Sequence, residues 1–236
     1  MRAPRRRIYL MRHGSVDYFR ADGSAVPPHT VPLNAAGREQ ADAAGALFAQ
    51  CGVRFDRAIV SGLNRTVETA QRVLAAAGQT LALESEPALE EIRGGRLADI
   101  PPDAVEAAFL GAFQTGAGVE AQRFLGGESV GELLDRTLPA FERLLARDDW
   151  TQLLLVLHGG VNRALLGRAL TGDRAFFGRL EQLPACINIV DVGTYDLVVR
   201  AVNLAPTQWL HQHESLTTME KLLAQYLRLD SARQVR

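Results

Sequence analysis

Apolar residues fall into two patterns along this chain. Short runs of consecutive apolar positions alternate with stretches where they recur every third or fourth residue. Ile8-Tyr9-Leu10-Met11 is the first run and predicts a strand. Phe55 to Ser61 contains a second strand, and Leu81 to Glu84 is a short third. Leu153 to Leu157 is apolar throughout, as expected of a strand covered on both faces. Ile187 to Val192 and Leu197 to Val202 predict two more strands, with Gly193-Thr194-Tyr195-Asp196 as their hairpin turn.

The helical stretches lie between these runs. Ala35 to Cys51 carries Ala41, Ala44, Phe48 and Cys51 at helical spacing, with Asn34 as N-cap and Gly52 as stop. Asn64 to Ala77 places Val67, Ala70, Leu74 and Ala77 on one face, and Gly78 ends it. Pro101 to Arg147 reads as mostly helical. Within it, Ser129-Val130-Gly131-Glu132 has the pattern of a capping box and sets a helix start at Ser129. Val161 to Leu170 and the amphipathic Ser215 to Leu229 complete the set. The sequence leaves open whether this last helix packs on its own domain or joins two copies in a homodimer.

Alternating strands and helices predict an α/β fold, a three-layer sandwich with a mostly parallel central sheet flanked by helices. No linker, repeat or low-complexity tract divides residues 1–236, so one domain is expected. Polar residues follow three of the strands: Arg12-His13, Ser61 to Arg65, and His158. In a parallel sheet such strand ends share one edge, where open α/β folds place their ligand chemistry. His13 and His158 can therefore meet in one pocket.

Composition narrows the chemistry. The formal net charge of −1 argues against bulk electrostatic binding of nucleic acid. Lys221 is the only lysine, so nearly every cation is an arginine, the side chain suited to bidentate phosphate contacts. Cys51 and Cys186 make neither a disulfide framework nor a zinc site, and both are expected as buried thiols. Arg2, Arg5, Arg6 and Arg7 resemble the start of a signal peptide, but the apolar run behind them is too short for a signal core. No run reaches membrane-span length. A cytoplasmic protein with no membrane partner is expected.

Arg12-His13-Gly14 is the most informative tripeptide. It delivers a guanidinium and an imidazole together, and the glycine lets a ligand approach the backbone. That combination suggests a histidine that attacks an anionic group, a phosphoryl.

Six segments in order resemble the histidine phosphatase superfamily, which includes phosphoglycerate mutases and many acid and sugar phosphatases. They are Arg12-His13-Gly14, Pro32-Leu33-Asn34 through Gly37 to Gln40-Ala41, Ser61 through Arg65-Thr66 to Glu68-Thr69-Ala70, Leu89-Glu90-Glu91 with Gly95, Gly127-Glu128-Ser129, and His158-Gly159-Gly160. The resemblance implies a phosphoglycerate mutase-like fold with the helical segment at about 101–147 covering the active site. It implies that His13 is the nucleophile, kept neutral by surrounding arginines. Arg12 and Arg65 would grip the phosphoryl oxygens, and His158 would donate to one of them as charge builds. Gly14, Ser15 and Gly159 would contact the substrate. Glu91 matches the carboxylic acid that protonates the leaving group, with the adjacent Glu90 as its rival. A bound phosphate dianion would favour the acid form.

The chain departs from many relatives where they carry Glu-Thr after the first glycine and, six positions beyond the histidine, an asparagine that touches phosphate. Here those places hold Ser15, Val16 and Phe19, so the pocket beyond the transferred group is expected to differ. His211 and His213 resemble a metal pair without a third ligand and read as surface histidines. No metal and no cofactor are expected.

The leading expectation is a phosphomonoester hydrolase acting on a small phosphorylated metabolite through phosphohistidine. The alternatives are a mutase, for which Ile92 to Leu157 looks short, and a catalytically weak relative that binds a phosphorylated ligand or a protein partner.

Overall fold

Ile8 and Leu10 pack on one side of their strand, and Tyr9 and Met11 on the other. This period-two alternation puts a strand between two apolar layers. In the computed structural model of the chain it is β1 (Arg6–Arg12). The other strands are β2 (Arg57–Val60), β3 (Leu83–Ser85), β4 (Gln152–Leu157), β5 (Ile187–Val192) and β6 (Leu197–Leu204). They form one six-stranded sheet in the order β3-β2-β4-β1-β5-β6. The first four of that order run parallel, and β5 is antiparallel to both of its neighbours, β1 and β6. The structure describes residues 4–20, 24, 26–111, 113, 116, 118–212 and 215–234, with side chains to residue 228. Arg2 and His213 lie outside that set.

The helices are α1 (Ala35–Gln50), α2 (Asn64–Ala76), α3 (Val105–Leu110), α4 (Val130–Ala146), α5 (Gly159–Thr171) and α6 (Thr218–Gln234). Ala41, Ala44 and Phe48 of α1 and Ala70, Val73 and Leu74 of α2 cover one face of the sheet with Tyr9, Met11, Leu154 and Val156. Leu133, Leu134 and Phe141 of α4 and Leu165 and Leu166 of α5 cover the other with Ile8, Leu10, Leu153 and Leu155. The result is three layers. A smaller cluster joins α3 to α6 through Val105, Phe109, Leu125 and Leu223, so the last helix packs on its own chain.

The caps sit where their side chains can satisfy free backbone donors. Asn34 Oδ1 accepts from Gly37 N at 2.8 Å. Ser129 and Glu132 form the reciprocal capping box, with Ser129 N to Glu132 Oε2 at 2.7 Å and Glu132 N to Ser129 Oγ at 3.1 Å.

Pro101 to Arg147 is mostly helical as expected, but not continuously: among the described residues between α3 and α4, only short 3-10 turns at Val119–Ala121 and Phe124–Gly126 are helical. Gly116, Gly118 and Gly126 take positive φ there, which ends helical propagation. One expectation needs correction, that of Cys51. Cys51 is exposed, whereas Cys186 is buried. Cys51 stands just past the last turn of α1, where the apolar stripe has left the sheet. No helix among the described residues is long and apolar enough to cross a membrane.

Candidate active site

β1, β2, β3 and β4 are parallel, so the residues that follow them gather at one edge. His13 follows β1 and donates its backbone N–H to Leu157 O at 2.9 Å, stitching it to the end of β4. His158 follows β4 and caps α5. The two imidazoles lie edge to face with centroids 5.3 Å apart. Both are buried.

Backbone contacts fix His13 on both sides. Its carbonyl accepts from Ala185 N at 3.1 Å, and Ala185 is held at φ 55°, a left-handed conformation that costs a non-glycine residue about 1 kcal/mol. His13 Nδ1 lies 2.7 Å from Gly14 O. A carbonyl only accepts, so Nδ1 carries the hydrogen and Nε2 keeps its lone pair. Burial, then the Arg65 and Arg12 guanidiniums, hold the imidazole well below its ordinary pKa. Burial is thus the first cause that favours the neutral form, and the arginines come second.

The same causes hold His158 well below its ordinary pKa: burial first, then Arg65, His13 and Arg12. Its hydrogen-bond network assigns its tautomer. Thr66 Oγ1 donates to Leu63 O at 2.8 Å. With that hydrogen engaged, Ser61 Oγ donates to Thr66 Oγ1 at 3.0 Å, and His158 Nε2 donates to Ser61 Oγ at 2.8 Å. Nδ1 of the neutral ring is then bare, and it is buried without a partner among the described residues.

Arg12 and Arg65 show the same signature. Arg12 Nη1 donates to Gln182 O and, at 3.0 Å, to Thr218 Oγ1 at the start of α6. Arg65 Nη1 donates to Pro28 O at 2.8 Å. The Nε of each guanidinium is buried with no partner among the described residues. Buried N–H groups are almost always paired. The two unpaired guanidinium donors beside His13 define a pocket with a deficit of oxygen acceptors, and the bare His158 Nδ1 can take up a proton there. An oxyanion supplies such acceptors.

Glu91 comes to the same edge from the segment after β3. Its Oε1 accepts from Ile92 N at 3.0 Å, and its Oε2 accepts from Gly160 N of α5 at 3.1 Å. The carboxylate thus sits two residues past His158. Glu90 pairs instead with Arg93, at 3.8 Å.

The remaining expected residues occupy the loop after β1. A Cβ on Gly14 would meet Gly37 O at 2.4 Å, so its close neighbour is the start of α1, and its N–H donates to Thr69 Oγ1 at 3.1 Å. Ser15 is half-buried; its N–H donates to Gln40 Oε1 at 2.9 Å, and its hydroxyl accepts from Asn34 Nδ2 at 3.4 Å. That hydroxyl still has a hydrogen to donate. A Cβ on Gly159 would make only ordinary contact with Arg12 Nε at 3.6 Å, whereas one on Gly160 would stand 2.5 Å from Glu91 Oε1. The steric demand therefore falls on Gly160. Phe19 packs toward Tyr226 of α6, with ring centroids 6.1 Å apart. His211 is exposed, and no group of three His, Cys, Asp or Glu among the described residues is placed to hold a metal.

Sequence reasoning missed several members of the site. Ser61 fixes His158, Thr69 holds the Gly14 amide, and Gln182 and Thr218 hold Arg12. Only Ser61 and Thr69 carried a signal, as letters of a motif without a role.

The fold brings two histidines and two arginines together at one edge of an α/β sheet. A family model for the histidine phosphatase superfamily (branch 1) matches residues 8–205, and the chain belongs to that superfamily. A probable phosphoglycerate mutase GpmB of Salmonella paratyphi A is 32% identical over 153 residues, covering 64% of this chain and 69% of that one. Phosphoglycerate mutase-like protein 4 of Arabidopsis thaliana is 28% identical over 174 residues, 71% of this chain and 72% of its own. Among solved structures, a putative alpha-ribazole-5'-P phosphatase from Escherichia coli superposes with TM-score 0.63 at 25% identity, over 84% of this chain and 96% of that one. A phosphoglycerate mutase from Bacillus anthracis shares the fold, with TM-score 0.65 at 20% identity over 90% and 98% of the two chains.

Proposed function

We propose that this protein is a phosphomonoester hydrolase that acts on a small phosphorylated metabolite through a phosphohistidine at His13, without a metal. The observation that carries this reading is the set of unpartnered buried nitrogens, Arg12 Nε, Arg65 Nε and His158 Nδ1, beside a neutral His13. They supply what phosphoryl transfer asks of a protein, which is positioning and charge stabilisation.

His13 Nε2 attacks phosphorus, and the ester P–O bond breaks. The departing oxygen takes a proton from the Glu91 carboxyl group. Water then attacks the phosphohistidine, giving its proton to the Glu91 carboxylate. The P–N bond breaks, and phosphate leaves with His13 and Glu91 restored. Arg12 and Arg65 hold the equatorial oxygens throughout, with Ser15 and Gly159 beside them. His158, once protonated at Nδ1, donates to one oxygen as charge develops.

The relatives named as phosphoglycerate mutases favour a second reading, in which the phosphoryl returns to a bound intermediate instead of passing to water. A panel of phosphorylated metabolites separates the two, read by released phosphate with bisphosphoglycerate present or absent. Hydrolysis independent of bisphosphoglycerate supports the phosphatase. Isomerisation that requires it, with little free phosphate, supports the mutase. No turnover in either assay leaves a phospho-ligand binding protein.

A further inference from the structure

Glu91 lies on a segment without regular structure. Residues 90–96 belong to neither helix nor strand, so their backbone carbonyls have no ladder to satisfy them. A proton donor must nevertheless hold its position closely, because misplacement by about 1 Å costs rate. Something outside the segment must fix it.

We propose that Arg136 and Glu128 are positioning residues that hold Glu91 in line with the leaving oxygen. This rests on the reading of Glu91 as the proton donor. Arg136 projects from α4 and donates to Ala88 O at 2.9 Å, Glu90 O at 2.7 Å and Glu91 O at 3.0 Å. Its two remaining N–H groups grip Glu128, Nε to Oε1 at 2.6 Å and Nη2 to Oε2 at 2.8 Å. Every guanidinium hydrogen is thus engaged. Glu128 closes the far end of the segment: its Oε2 accepts from Arg93 N at 2.9 Å, and its own N–H donates to Arg93 O at 2.8 Å. The carbonyls of Ala88, Glu90 and Glu91 and both backbone groups of Arg93 are therefore tied to one partly buried ion pair.

The pair is well screened from water, with Arg136 and Glu128 side chains 16% and 9% exposed. Burial pushes the Glu128 carboxyl up, but Arg136 and the Arg93 amide outweigh it, and the group rests below its ordinary range. A lysine could not replace Arg136, because its three donors on one nitrogen cannot make the five hydrogen bonds that the guanidinium spreads over three carbonyls and a carboxylate. Arg136 adds a minor, last-ranked charge effect on His158, whereas its direct hydrogen bonds are to the Glu91 segment and Glu128.

The test uses a series of substituted phenyl phosphates and an alkyl phosphate, assayed with the full chain and its Arg136→Gln, Arg136→Lys, Glu128→Gln and Glu91→Gln variants. Arg136→Gln is expected to lower kcat on the alkyl ester at least about tenfold while changing nitrophenyl phosphate hydrolysis less than about threefold. Combined with Glu91→Gln it should add little further leaving-group dependence, because both act on one proton transfer. Glu128→Gln, which keeps the three carbonyl contacts of Arg136, should give a milder version and serves if Arg136→Gln does not fold. A folded variant whose loss is equal across the series overturns the proposal and leaves the phosphatase reading intact. If Glu91→Gln itself shows no leaving-group dependence, the donor assignment fails and this proposal fails with it.

Discussion

Gly160 donates its backbone N–H to Glu91 Oε2 at 3.1 Å, and a Cβ on Gly160 would stand 2.5 Å from Glu91 Oε1. The first residues of α5 therefore both anchor the carboxylate and leave room for it. The obstructed atom is the tip of a flexible side chain, so Gly160→Ala should fold and displace Glu91. Its kcat on an alkyl phosphate should fall about tenfold or more, with nitrophenyl phosphate much less affected. An equal loss on both esters would mean that Gly160 serves packing alone.

The neighbouring carboxylates give a second contrast. Glu91→Gln should slow esters with basic leaving groups strongly and nitrophenyl phosphate weakly, because a general acid lowers only the barrier from charge on the departing oxygen. Glu90, paired with Arg93, should tolerate Gln with little change on either. A leaving-group-dependent defect from Glu90→Gln would move the proton donor by one residue.

The hydroxyl chain behind His158 predicts proton uptake on anion binding. Neutral His158 keeps its hydrogen on Nε2 for Ser61, so Nδ1 must gain a proton to donate to an oxyanion. Calorimetry of tungstate binding in buffers of different ionisation enthalpy should report uptake of about one proton near neutral pH. Ser61→Ala frees the tautomer, so neutral His158 can place its hydrogen on Nδ1 and the uptake should fall. Wild-type binding with no proton uptake would contradict this assignment.

Acid sensitivity follows from the same burial. The folded pKa values of His13 and His158 lie below the ordinary 6.5. In that window the unfolded chain binds protons that the native chain refuses, so their contribution to stability is fully present above the unfolded value and is lost as pH falls. Each should contribute a slope of up to about 1.4 kcal/mol per pH unit below that value. Denaturant unfolding between about pH 5 and 7 should show this loss, and His13→Asn should flatten it by one histidine's share. An unchanged slope in His13→Asn would mean that His13 is already protonated in the native state.

The parallel edge is legible in the sequence because each strand announces itself by an apolar run and each ends in polar residues. His13, Ser61 and His158 can be placed together on that basis, and the caps at Asn34 and Ser129 by their side-chain chemistry. Other features have no sequence signal. Arg136 bonds backbone carbonyls, which any residue offers, so its role is invisible until Ala88, Glu90 and Glu91 are brought to it. Thr218 reaches Arg12 only because α6 folds back onto α3. The apolar pattern does not mark the break between α3 and α4, where glycines at positive φ interrupt the helical stretch. Cys51 misleads because helical spacing does not mark the turn at which a helix leaves its sheet.

The central claim is that phosphate passes through His13. Its most direct test is rapid acid-free denaturing quench of the protein during turnover of a radiolabelled phosphomonoester, followed by peptide mapping with chelator present throughout. The account predicts label on His13, stable to base and labile to acid, and no label in His13→Ala, whose hydrolysis should fall by several orders of magnitude with the fold retained. Substantial turnover by folded His13→Ala, or activity abolished by chelator and restored by a divalent metal, would contradict it.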